Sequence, residues 1–131
     1  VLGKEAFSRW LAAYAAALSN GNWTSCAKLF TEDAIFLPTP FDSPVRGGDR
    51  ISAHLQAAWS RFDRVDFTAE AIAPGWAHWH VAAGLDVLEE SVRFDGLLNA
   101  EFTGAEACTR LVLWTESLSP HEDDILAQRD A

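Results

Sequence analysis

Apolar residues recur every three to four positions through the first half of the chain and alternate with polar ones through the second. Phe7, Trp10, Leu11, Tyr14 and Leu18 make one stripe at helical spacing, which predicts an amphipathic first helix. Asn20-Gly21 ends it with residues that tolerate a left-handed backbone, and Asn22 then caps a short second helix carrying Trp23, Cys26, Ala27 and Phe30. Residues 33–37 read as a short strand stopped by Pro38 and Pro40, and 41–44 as a turn or small hairpin. Gly47-Gly48 breaks the chain before a third helix, in which Ile51, Leu55, Ala58, Trp59 and Phe62 share a face. Beyond it the period falls to two. Strands are expected over 65–73, 76–88, 92–102 and 107–118, with turns at Pro74-Gly75 and near Gly104. Their short links imply a largely antiparallel meander. Helices followed by strands define an α+β chain, read as one domain over residues 1–131, whose polar end from about 119 is expected to fray.

Charge narrows the choice of partner. Ten basic residues against nineteen acidic ones leave a formal net charge of −9. Binding to nucleic acid needs a cationic footprint that displaces counterions, and an anionic membrane surface asks for the same. Here the arginines are scattered and the segment His121-Glu122-Asp123-Asp124 is acidic, so neither partner is expected. Cys26 and Cys108 belong to no CxxC pattern and read as two buried free thiols. No stretch approaches the ~20 apolar residues of a membrane span, and no leader pattern opens the chain, so a cytoplasmic location is the default expectation. Six tryptophans and eight phenylalanines exceed what a minimal core needs, and suit either a cavity wall or a subunit interface.

The order of these elements resembles the nuclear-transport-factor-2-like superfamily, in its SnoaL-like branch. Asn20-Gly21-Asn22-Trp23 is similar to that family's helix break, and Leu29-Phe30-Thr31-Glu32-Asp33-Ala34 to its entry into the first strand. Pro44-Val45-Arg46-Gly47-Gly48-Asp49-Arg50-Ile51 resembles the start of its third helix, and Phe94-Asp95-Gly96 with Phe102 and Gly104 its strand-turn-strand. The resemblance implies three helices on a curved, mostly antiparallel sheet, closing as a cone-shaped half-barrel with an internal pocket. It also implies a homodimer through the outer sheet face. It does not imply one activity, since isomerases, cyclases, dehydratases and non-catalytic proteins share the fold.

Against the ketosteroid-isomerase branch the chain keeps one of three groups. Tyr14 matches the phenol that would donate to a developing oxyanion. The position of the catalytic carboxylate falls on Pro38, and that of the second oxyanion donor on Leu98, neither of which moves a proton. Tyr14 also has an ordinary reading as a core residue with its hydroxyl tied to a neighbour. His54, at the edge of the third-helix stripe, is a candidate base at a pocket mouth, although a surface histidine there is commoner. His78 and His80 stand two apart on a strand and share a face, as a zinc pair would. Spacing fixes no third ligand, and the more apolar face of Trp79, Val81 and Ala83 should point inward, so no metal is expected. Asp95 and Glu101 fall on the outer parity of the next strand for the same reason. Asp33 is expected to tie down backbone amides, and Arg46 and Asp49 to orient the loop before the third helix. No GxSxG, HExxH, phosphate-binding loop or dinucleotide fingerprint occurs, and no cofactor is expected.

Two readings therefore stay open. In one, the chain holds a small, largely apolar, cyclic molecule between walls of Phe36, Trp59, Trp79, Leu98 and Trp114, with Tyr14 and His54 available for cofactor-free isomerisation, cyclisation or hydration. In the other it is a non-catalytic binding or dimerisation module, or an accessory subunit of a larger enzyme.

Overall fold

The computed structural model describes residues 2–85, 88–103 and 106–118. The end expected to fray and the turn expected near Gly104 lie outside that range. Helix α1 runs Lys4–Asn20, α2 Trp23–Ala27 and α3 Gly48–Trp59. The strands are β1 Phe30–Leu37, β2 Val45–Arg46, β3 Arg64–Ala73, β4 Trp76–Leu85, β5 Leu88–Phe102 and β6 Cys108–Leu118. They form one sheet in the order β2-β1-β6-β5-β4-β3, an α+β architecture of helices on a mostly antiparallel open sheet. No helix among the described residues is long and apolar enough to cross a membrane.

Local chemistry sets the helix ends. Gly21 takes a left-handed backbone (φ 66°), and its N–H turns back onto the carbonyls of Ala17 and Leu18. The Asn22 side chain then accepts from the Ser25 N–H at 3.2 Å, the expected cap of α2. All five residues of the expected α1 stripe are buried. On α3 the buried positions are Gly48, Ile51, Ser52 and Leu55, whereas Ala58 faces solvent. Among the described residues Ser52 is the one buried side chain that is polar outside the aromatic and thiol groups, and its hydroxyl donates to the Trp23 carbonyl at 2.6 Å, pinning α3 to α2.

The strands from β3 to β6 form the expected meander. β1 departs from it in two ways. It starts at Phe30, three residues earlier than the pattern indicated, because Phe30 pairs with Cys108. It also runs parallel to β6, with Phe36 beside Leu111 and Leu37 beside Val112. The turn at 41–44 is a hairpin: the Asp42 N–H donates to the Thr39 carbonyl, and β2 pairs back antiparallel through Phe36 and Val45. Asp33 lies within β1 and accepts from the Thr31 hydroxyl at 3.0 Å, so it does not tie down amides as expected. Being inside the strand, it has no free turn amides beside it.

Burial alternates along β4, where Ala77, Trp79, Val81 and Ala83 face the helices and His78 and His80 face away. The Trp79 indole lies across Gly96 on β5 and donates its Nε1–H to the Leu97 carbonyl at 3.1 Å. A Cβ on Gly96 would meet the ring at 2.8 Å and collide with the Trp114 carbonyl oxygen. Gly96→Ala should therefore lower stability by about 2 kcal/mol, as overpacking of a filled core does. Urea titration followed by tryptophan fluorescence checks this, and an unchanged midpoint would refute the close approach.

Candidate functional site

Aromatic rings fill the space between helices and sheet in two groups. In the first, Trp10 stacks on Tyr14 at 5.2 Å, Tyr14 meets Phe67 edge-on at 5.4 Å, and Phe67 stacks on Trp79 at 5.7 Å. These rings are almost wholly enclosed: Tyr14 and Trp79 are each 1% exposed. The second group sits where α3 ends. Trp59 meets Phe94 edge-on at 5.2 Å, and Phe62 lies 6.0 Å from Trp59 and 6.1 Å from Phe94. All three rings are only partly buried. Beside them opens a groove of about 310 Å³, lined by the apolar Leu18, Trp23, Trp59, Phe62 and Val65 and by the polar Ser19, Asn20, Ser60 and Asp63.

The expected wall residues thus separate by position. Phe36, Trp79 and Leu98 lie in the core at 0–1% exposure, with Leu98 opposite Ala77 and Leu113. Trp59 stands at the open aromatic end. Trp114 is on the opposite face of the sheet, 39% exposed and stacked on Trp76 at 5.7 Å. The five do not form one wall. His54 is exposed on α3, with its ring 5.7 Å from Phe36, and no contact links it to Tyr14. Trp23, Phe62 and Phe94 join the open end although they were not singled out from the sequence. Phe62 follows α3 on its apolar stripe, and that stripe was the available signal.

Burial decides the proton chemistry of the interior. It holds the Tyr14 phenol far above its ordinary pKa, with smaller contributions from Cys26 and Cys108 nearby, so Tyr14 is a hydrogen-bond donor and not an anion. The Cys108 thiol is pushed up to about 12 by burial. Burial also raises Cys26, against a hydrogen bond from Ser52. Both cysteines are free and buried, hence inert thiols. No two carboxylates or histidines face each other in the buried interior of the described residues.

On the outer face His80 Nδ1 contacts Asp95 Oδ1, and the His78 ring lies 4.3 Å from that of His80. Among the described residues no group of three or more His, Cys, Asp or Glu side chains could hold a metal ion. A groove of about 440 Å³ on this face is bordered by His78, Asp95, Leu97, Trp114 and Glu116.

A helix-backed open sheet of this order, with an aromatic interior, defines the class of SnoaL-like, nuclear-transport-factor-2-like proteins. The family model for the SnoaL-like domain matches residues 10–83, more than half of the chain, and the chain belongs to that family. Among solved structures, it is similar to Δ5-3-ketosteroid isomerase from a Mycobacterium species, at 13% identity and a TM-score of 0.65, covering 86% of this chain and 98% of that one. A protein described as a candidate SnoaL-like polyketide cyclase of Shewanella denitrificans OS-217 aligns at 16% identity and a TM-score of 0.62, covering 83% and 89%. Rv0760c of Mycobacterium tuberculosis aligns at 9% identity and a TM-score of 0.68, covering 90% and 100%. At such identities the likeness shows the fold alone. Comparison with curated proteins gives no significant match.

Tyr14 is the single tyrosine, which makes its state readable. An unfolded tyrosine loses its proton above about pH 10, whereas the folded Tyr14 keeps it. The unfolded state then binds fewer protons, so stability should fall as pH climbs past 10. Tyrosinate absorbance at 295 nm should appear only together with unfolding. A rise near pH 10 with native circular dichroism would contradict the burial of this ring.

Proposed function

We propose that the chain binds a small, largely apolar, cyclic molecule at the aromatic end of the fold, around Trp59. The observation that carries this reading is the convergence of partly buried rings, Trp59, Phe62 and Phe94, beside a groove that Trp23, Leu18 and Val65 also line. Apolar rings around a concavity are what a small-molecule site needs, with few polar groups to fix orientation. The polar groups on this groove are Ser19, Asn20, Ser60 and Asp63, whereas His54 lies beside Phe36 on the exposed side of α3 and Tyr14 is enclosed deeper in the fold. Phe36, Trp79 and Leu98 support the site from beneath. Among the described residues the interior holds no facing pair of ionisable groups.

Titration with Nile red, an uncharged apolar dye, tests the site. Trp59→Ala should weaken its binding about tenfold, as loss of a central aromatic anchor does. Tyr14→Phe, a change at an enclosed ring that does not line the groove, should leave binding of the dye unaffected. Equal affinity of the wild type and the Trp59 variant for every probe would remove the site.

A separate observation favours self-association as well. Among the described residues the exposed large apolar side chains are Ile72, Trp76, Leu97 and Trp114, which lie together on the strands β3 to β6, and Phe41, which lies elsewhere. A patch of this kind marks an interaction surface more often than scattered apolar residues do. We take its partner to be a second copy of the chain. Leu97→Asp should then convert a dimer to a monomer in sedimentation velocity, and a wild type that stays monomeric at about 100 µM would count against the reading.

A further inference from the structure

His78 and His80 stand two residues apart on β4 and so project from one side of the strand, away from the helices. Their ring centroids lie 4.3 Å apart, with the ring planes inclined at 68°. Two imidazoles bound side by side to one ion, at metal–nitrogen distances of about 2.0–2.1 Å, bring their centroids to about 4.5 Å. The rings are therefore already near the spacing that chelation needs. Solvent reaches both, since His80 is exposed and His78 half-buried. The sheet fixes His80 further: Asp95 stands opposite it on β5, and His80 Nδ1 contacts Asp95 Oδ1. A carboxylate at Nδ1 takes the N–H of that nitrogen and leaves the lone pair of Nε2 for an ion. Such a carboxylate behind a ligating histidine sets both its tautomer and its ring orientation.

The surrounding charge has the sign a cation needs. Across the strands the two histidine rows read Glu70, His78, Leu97, Trp114 and Thr68, His80, Asp95, Glu116. They hold three carboxylates and neither lysine nor arginine, and Arg93 stands in the row beyond, together with Asp66. We propose that His78 and His80 chelate an exchangeable divalent transition ion, copper(II) before the others, through one ring nitrogen each, with Asp95 as the positioning residue for His80. Among the described residues no third protein donor completes the set, so water takes the remaining positions and the ion is not a structural one. Spacing alone fixes no third ligand either; the ring separation and the Asp95 contact are what make the pair a two-ligand site. Two imidazole nitrogens side by side suit the tetragonal geometry of copper(II), which also heads the affinity order of the first-row divalent ions. This site stands apart from the groove beside Trp59, whose lining contains neither histidine.

Isothermal titration of the full chain with copper(II) chloride at neutral pH tests the site, with folding of each variant checked by circular dichroism. His78→Ala and His80→Ala should each weaken the tightest binding step about a hundredfold, the worth of a second tethered donor. Asp95→Asn should weaken it about tenfold, as loss of the group behind a ligating histidine does. In the His80→Ala background the same change should make no further difference. Nitrogen hyperfine splitting in the electron paramagnetic resonance spectrum should report two imidazoles in the wild type and one in either single variant. Tight binding that persists in the double variant H78A/H80A would place the ion elsewhere on the chain and overturn the site, as would a wild type that binds no better than the single variants. A further loss from Asp95→Asn in the absence of His80 would show that Asp95 acts through its charge alone, and would overturn its positioning role.

Discussion

Everything in this fold depends on the alternation of side chains along β4 and β5. A strand offers two faces, and here one is roofed by α1 and α3 while the other carries no helix among the described residues. Trp79 shows how strictly the division is kept. Its indole needs the surface that Gly96 leaves open, and its N–H needs the Leu97 carbonyl, a bond made at 3.1 Å. Moving this strand by one residue would place His78 or His80 against Phe67 and bring Trp79 into water. The charged rows of the outer face and the rings of the inner one are fixed by that single register.

Much of this could be read from the sequence, where the pattern was unambiguous. The α1 stripe, the cap at Asn22 and the inward parity of Trp79, Val81 and Ala83 are local signals at fixed spacing. The histidines and Asp95 follow by parity alone. Trp114 could not be read that way, because residues 111–114 are apolar at every position and alternation has nothing to distinguish. Leu111 and Val112 face opposite sides of the sheet and yet are both buried. The parallel pairing of β1 with β6 was equally hidden. It joins segments more than seventy residues apart, and no local pattern records such a partner. The groove beside Trp59 draws on α1, α2, α3 and β3 together, so its lining is a property of packing.

The two faces also divide the chemistry. A buried carboxylate would need a partner in a space occupied by rings, and none lies there among the described residues. What remains is a phenol held neutral and two neutral thiols, which suits recognition of an uncharged molecule. Charge is confined to the surface, where it costs little and acts through its arrangement.

That arrangement separates the two uses of aromatic residues in this chain. Trp10, Tyr14, Phe67 and Trp79 are enclosed and serve the core, so their rings are unavailable to a partner. Trp59 and its neighbours are open at one end of the inner face, and Trp76 and Trp114 on the outer one. A ring left partly in water forgoes burial worth roughly 25 cal/mol for each Å² exposed. Paying that cost at two distinct places, on opposite sides of one sheet, is economical only if different contacts cover them. A small molecule fits the concave, ring-lined end beside α3. The outer rings Trp76 and Trp114 lie among Ile72 and Leu97 on β3 to β6, an apolar area of the kind that suits another protein surface.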